Sequence, residues 1–241
     1  MAAGRLAIYL NANARRVNPD VVTKIEELVH PDDIFFCNSV DEACQHARRI
    51  LDRGYETVFT GGGDGTVVGL VNAMRGVRRD TGSDAPLPVF GVLSLGTGNA
   101  LSRLVSSGSA IQDLKAYVAN PSRDTWEISL VSWNDLWFPF GSMGVDAEIL
   151  GDYVTMKERL GSGALKPVFQ NVAGYFVAFF GATAPRHVRD LVQRRKCVVR
   201  AVNQGGTAYA VGPDGEMARA YAPGEVLWDG PALGAMVGTI P

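Results

Sequence analysis

The segment Gly61-Gly62-Gly63-Asp64-Gly65-Thr66 sets four glycines around one carboxylate. Glycine has no Cβ, so its backbone reaches left-handed conformations and its amide N–H groups can close on an anion. Ahead of this segment, Tyr55 to Thr60 is a β-branched and aromatic run, and a helical pattern starts at Val67. Strand, glycine loop and helix N-terminus in that order form a site for phosphate. A single such loop also reads as a plain tight connection. A second unit follows, however: Leu87 to Leu95 reads as a buried strand, and Gly96-Thr97-Gly98-Asn99 leads into the helical stretch Ala100 to Val105. In an open parallel sheet, ligands sit outside the carboxyl ends of the strands, so two such loops can converge on one ligand.

The elements that must position these loops alternate. Arg5 to Asn11 is an apolar strand, and Asn18-Pro19 supplies a cap and a first-turn proline for a helix through about Val29. Ile34 to Cys37 is a second strand. Ser39-Val40-Asp41-Glu42 fits a capping box, followed by a helix whose apolar face carries Ala43, Cys44, Ala47, Ile50 and Leu51 and which Gly54 closes. Strand and helix alternating at short spacing predict a parallel sheet with helices on both faces. Ile111 to Ala119 reads as one more helix. From about residue 125 the character changes: Trp126 to Ser132 and Leu136 to Phe140 read as strands around an Asn134-Asp135 turn, with further strands at Cys197 to Val202 and Thr207 to Val211. The expectation is an α/β nucleotide-binding domain over 1–125 and a mainly antiparallel, β-rich domain over 126–241. Val168 to Ala184 is apolar but falls short of a membrane span, and reads as a buried or membrane-touching helix.

With 241 residues, 46% hydrophobic and 20% charged, the chain can bury a real core. A formal net charge of −2 excludes an overall basic field for nucleic acid. Cys37, Cys44 and Cys197 are odd in number and lack metal-binding spacing, which favours reduced thiols. His30, His46 and His187 are scattered, without a zinc pattern. Arg186, Arg189, Arg194, Arg195, Lys196 and Arg200 form a local basic cluster that fits either anionic lipid head groups or a solvated face.

Taken together, Gly62-Gly63-Asp64-Gly65-Thr66, Gly96-Thr97-Gly98-Asn99-Ala100-Leu101 and Gly141-Ser142-Met143-Gly144-Val145-Asp146-Ala147-Glu148 make the chain resemble the diacylglycerol kinase and sphingosine kinase superfamily of lipid kinases. The first motif also occurs in NAD kinases and phosphofructokinases; the second, at this distance, discriminates. The resemblance implies a fold in which an N-terminal parallel α/β sandwich precedes a mainly antiparallel β-rich domain. It also implies ATP with Mg2+, transfer of a phosphoryl group to a lipid hydroxyl and transient contact with the inner membrane surface, while the cysteine usage points to a cytoplasmic location. By resemblance the nucleotide meets Asn11, Asn13, Gly62, Gly63, Asp64, Gly65, Thr66, Gly96, Thr97, Asn99 and Arg159. Asp64 is the catalytic candidate, organising Mg2+ or the acceptor hydroxyl, with a helix cap at Thr66 as its alternative. Asp146 is placed near the lipid head group, or satisfies a turn. Arg159 reaches phosphate in that reading, or is a surface charge.

Departures from the family pattern are specific. Asn11-Ala12-Asn13-Ala14-Arg15 lacks the proline and glycine of the family's turn, which leaves Arg15 or Arg16 as a charge near phosphate or as a solvated residue. Asp214-Gly215-Glu216, after Pro213, reads as a hairpin turn and not as the family's general base. The apolar ending Ala235 to Pro241 reads as a domain cut short. An NAD kinase-like enzyme and a catalytically silent nucleotide or lipid sensor are the rival readings.

Overall fold

The computed structural model describes residues 5–96, 99–106, 108–121, 124–161, 166–169, 173–192 and 198–239. They form two compact units, one of residues 1–139 with 239–241 and the other of residues 140–238.

The first unit is built on four parallel strands, β1 (Leu6–Asn11), β2 (Ile34–Cys37), β3 (Thr57–Gly62) and β4 (Val89–Ser94), in the order β2-β1-β3-β4. Helices α1 (Pro19–Glu26), α2 (Val40–Asp52), α3 (Asp64–Thr81), α4 (Ala100–Val105) and α5 (Ala110–Ala119) connect and cover them. Successive side chains of a strand point to opposite faces, and β1 shows the consequence. Ala7 and Tyr9 pack with Ala47 and Ile50 of α2 and with Leu70 and Met74 of α3. Ile8 and Leu10 pack with Ile25 of α1 and Leu114 of α5. A strand covered on both faces has no solvent side, so β1 and β3 read as near-continuous hydrophobic runs, and the buried Thr60 of β3 satisfies its hydroxyl by donating to Gly91 O at 3.1 Å.

Local signals set the helix ends. The Asn18 side chain accepts from Val21 N at 3.0 Å at the start of α1. Ser39 Oγ accepts from Glu42 N at 3.2 Å, while Glu42 reaches back to Asn38 N at 2.7 Å, one residue earlier than a capping box requires. That bond, with a second from Asn38 Nδ2 at 3.2 Å, holds the Glu42 carboxyl below its ordinary range. Helix α3 buries Thr66, Val67, Leu70, Val71, Met74 and Val77, a stripe at helical spacing, and ends on Gly82 with φ 65°. Cys37 and Cys44 are free; Cys37 is buried, but Cys44 lies exposed and not on the apolar face predicted for it.

Two short strands, β5 (Val131–Trp133) and β6 (Leu136–Phe138), complete this unit as an antiparallel hairpin. Asn134 and Asp135 take φ 48° and 63° at its turn, the left-handed pair of a two-residue hairpin loop.

In the second unit, β7 (Phe140–Gly144) leads directly into α6 (Val145–Leu160), a helix the sequence reading did not anticipate. Beyond it lie α7 (Lys166–Phe169), α8 (Ala173–Ala178), a π-helical turn over Phe179–Thr183 and α9 (Ala184–Val192). The remaining strands pair antiparallel, as predicted for this half. β8 (Val198–Val202) pairs with β11 (Val226–Pro231), β9 (Ala208–Val211) with β10 (Met217–Tyr221), and β12 (Gly234–Gly238) with β7. Gly215, at φ 84°, turns β9 into β10, the hairpin that Pro213-Asp214-Gly215 signals. The apolar segment around α8 is not simply core: Gly174, Ala178 and Thr183 are buried, whereas Phe176 and Phe180 are 61% and 67% exposed. No helix of the described residues is long and apolar enough to cross a membrane.

Candidate functional site

The chain leaves β1 toward β2 on one side and β3 toward β4 on the other, so the carboxyl ends of β1 and β3 flank the point where the strand order reverses. That is where an open α/β sheet binds its ligand. Asn11 ends β1 there, and its Nδ2 donates to Thr66 Oγ1 of α3 at 3.3 Å. Asn11 Oδ1 accepts from Asn13 N at 2.9 Å, and Asn13 Nδ2 donates to Asn38 O at 3.2 Å. The loop after β1 is thereby tied both to the first glycine loop and to the end of β2.

The two glycine loops touch. A Cβ built on Gly96 would overlap the backbone of Gly63, and one on Gly62 would overlap the Thr66 side chain. Leu95 N donates to Gly62 O at 3.2 Å, and Arg16 N donates to Leu95 O at 3.2 Å. Asp64 completes the link: its carboxylate accepts from Ala100 N and Leu101 N, each at 2.9 Å. The acid therefore caps α4, not its own helix; Gly63 is the N-cap of α3 and gives it no side-chain bond, while Thr66 N donates to Gly63 O at 2.9 Å. Asp64 thus does not cap its own helix at Thr66, contrary to that expectation. Sequence reasoning could not find the Asp64 partner, because it lies 37 residues away across the strand β4 crossover.

Asn99 is half-buried in the second loop, donating Nδ2 to Gly96 O at 2.9 Å. Among the described residues its buried Oδ1 has no hydrogen-bond partner. Thr97 and Gly98 lie outside the described residues. Arg16, rather than Arg15, is engaged at the second loop: its Nη1 reaches Ser94 O at 3.4 Å. Asn11, Asn13, Gly62, Gly63, Asp64, Gly65, Thr66, Gly96 and Asn99 are thus brought together on one edge of the first unit.

Asp146 and Arg159 belong to the second unit. Asp146 sits in the first turn of α6, takes a short hydrogen bond from Ser142 Oγ, and is the one acid in an open cleft of about 300 Å3 lined by Met143, Val145, Ile149, Leu233 and Met236. Arg159 lies in the last turn of the same helix. The basic cluster is partly spent in ion pairs: Arg186 holds Asp152 through two bonds of 2.6 and 2.8 Å, and Arg200 lies 3.7 Å from Asp229. Arg194, Arg195 and Lys196 fall outside the described residues.

The diacylglycerol kinase catalytic domain family matches residues 8–129, half of the chain, and the chain belongs to that family of lipid kinases. Its fold is shared with a solved structure described as "a putative diacylglycerol kinase from Bacillus anthracis str. Sterne", at TM-score 0.52 and 15% identity over 100% of this chain and 69% of that one. No protein with a curated description matches the sequence.

Proposed function

We propose that the chain binds ATP at the two glycine loops and transfers the γ-phosphoryl group to a lipid hydroxyl of the diacylglycerol or sphingoid type. The observation that carries this reading is the contact of Gly63 with Gly96, locked by the Asp64 carboxylate on the α4 amides. Phosphoryl transfer asks little covalent chemistry of a protein; it asks for alignment and for dipoles that meet developing charge. Adjacent loops rich in amide N–H groups, with the eighteen-residue α3 pointing its positive end into them, supply both. Asp64 acts by fixing the second loop, since each of its oxygens already serves a backbone amide. The unpartnered Asn99 Oδ1 accepts from a hydroxyl or amino group of the nucleotide.

Mg2+ is commonly held by one or two carboxylates together with substrate phosphates. Among the described residues no group of three or more metal-binding side chains occurs, and Asp64 is the one carboxylate tying the two loops, so the residues fit a cation carried in by the triphosphate rather than a protein cage. When bound, that ion neutralises phosphate charge. For the acceptor, Asp146 offers a carboxylate among apolar walls, a pairing suited to a hydroxyl on an apolar tail.

The test is a labelled-ATP assay with diacylglycerol, sphingosine and NAD as competing acceptors. Labelled lipid supports the proposal. Labelled NAD with untouched lipid points to an NAD kinase-like enzyme, and ATP binding without transfer to any acceptor points to a silent nucleotide-binding protein.

A further inference from the structure

The end of α3 remote from the glycine loops holds three arginines around an open cavity of about 310 Å3, lined by Arg75, Arg78, Arg79, Gly82, Ser83 and Asp84. Eighteen helical residues at about 1.5 Å each put this cavity roughly 27 Å from the loops. The negative end of the helix dipole accounts for cations in the last turn. It does not account for how they are held. Arg75 lies over the Trp137 ring, 3.4 Å from its centroid, and donates to Asp135 O at 2.9 Å; Arg78 Nε donates to Ser83 O at 3.2 Å. Both guanidiniums are oriented by carbonyl oxygens, which fix direction without cancelling charge. Among the described residues Arg79 makes only loose, exposed pairs, at 3.5 Å to Asp80 and 3.9 Å to Asp135. Such pairs contribute little in water and give way to a better anion.

We propose that this cavity is a second anion site that takes a phosphate group, distinct from the nucleotide loops. Planar forks at one opening suit the several oxygens of phosphate. The phosphate comes either from an anionic lipid head group or from free phosphate. The hairpin beside the cavity favours the lipid: Trp133 and Leu136 are 65% and 53% exposed there, and aromatic side chains of this kind settle at membrane interfaces.

The experiment follows the arginine side-chain Nε–Hε resonances of the 241-residue chain during titration with inorganic phosphate against a chloride control, and pelleting with vesicles of phosphatidylglycerol or of phosphatidylcholine. Saturable shifts at Arg75 and Arg78 are expected, together with pelleting on phosphatidylglycerol alone that falls about tenfold in Arg78→Gln/Arg79→Gln. These two side chains leave the Trp137 contact intact, and unchanged thermal unfolding of the double variant verifies that it folds. Phosphate shifts without vesicle binding assign the site to free phosphate. Shifts no larger than those in chloride, or vesicle binding that the double variant retains in full, would overturn the proposal.

Discussion

The Asp64 carboxylate accepts the Leu101 backbone amide at 2.9 Å, so the first residue of the helix after one glycine loop caps the helix that follows the other loop. One side chain thus sets the spacing of two loops that are far apart in sequence. Asp64→Ala leaves the Ala100 and Leu101 amides without an acceptor, at a cost of about 1–3 kcal/mol in stability by urea denaturation. ATP affinity should fall with it. A variant of undiminished stability would show that the α4 amides find other partners.

Gly96→Ala places a methyl group in the Gly63 backbone, so the loops must separate. At least a tenfold loss in ATP affinity is expected by calorimetry. Gly76→Ala is the internal control: its Cβ meets nothing within 4 Å, and it lies in the interior of α3, where alanine is favoured over glycine. That substitution should add about 0.5–1 kcal/mol to stability and leave nucleotide affinity unchanged.

Asn72 works as a strand edge for the hairpin. Its Nδ2 donates to Trp137 O at 2.7 Å and its Oδ1 accepts from Trp137 N at 2.8 Å. Asn72→Ala removes both bonds and should cost about 1–3 kcal/mol, with a red-shifted tryptophan emission as the hairpin loosens. Unchanged emission and unchanged stability together would contradict a docked hairpin.

The first half of the fold was legible because its signals are local. Doubly covered strands read as near-continuous hydrophobic runs, and Asn18, Ser39 and Gly54 mark helix ends by their own chemistry. Helix α6 was missed although Val145, Ile149, Tyr153, Met156 and Leu160 recur at helical spacing: it starts directly from β7 without a capping side chain, so no local signal marks its beginning. The site was legible as two loops converging on one ligand, but the Asp64 link between them was not, since the partner amides of Asp64 are specified by tertiary folding and not by spacing. Cys44 shows the converse, an apolar-looking helix position that the fold leaves in solvent.

In the second unit, Asp152 accepts from Thr183 Oγ1 at 2.6 Å and, at both carboxylate oxygens, from Arg186 Nη2 at 2.6 and 2.8 Å. Desolvation pushes its carboxyl upward, but the bonds from Thr183 and Arg186 outweigh it and hold the group below its ordinary value. A lowered folded-state pKa means that the stabilisation is complete above the unfolded value and disappears as pH falls through the folded one. Melting temperature should therefore drop below about pH 4 more steeply in the native chain than in Asp152→Asn, which has no carboxylate to protonate. Parallel pH profiles would contradict the role given to this ion pair.

The single cradle formed by both loops is tested most directly by following backbone amide resonances while ATP is added. The amides of Gly62, Gly63, Gly65 and Thr66 should move with those of Gly96, Asn99 and Leu101 along one saturation curve with a common Kd. Movement confined to one loop, or two curves of different affinity, would contradict it.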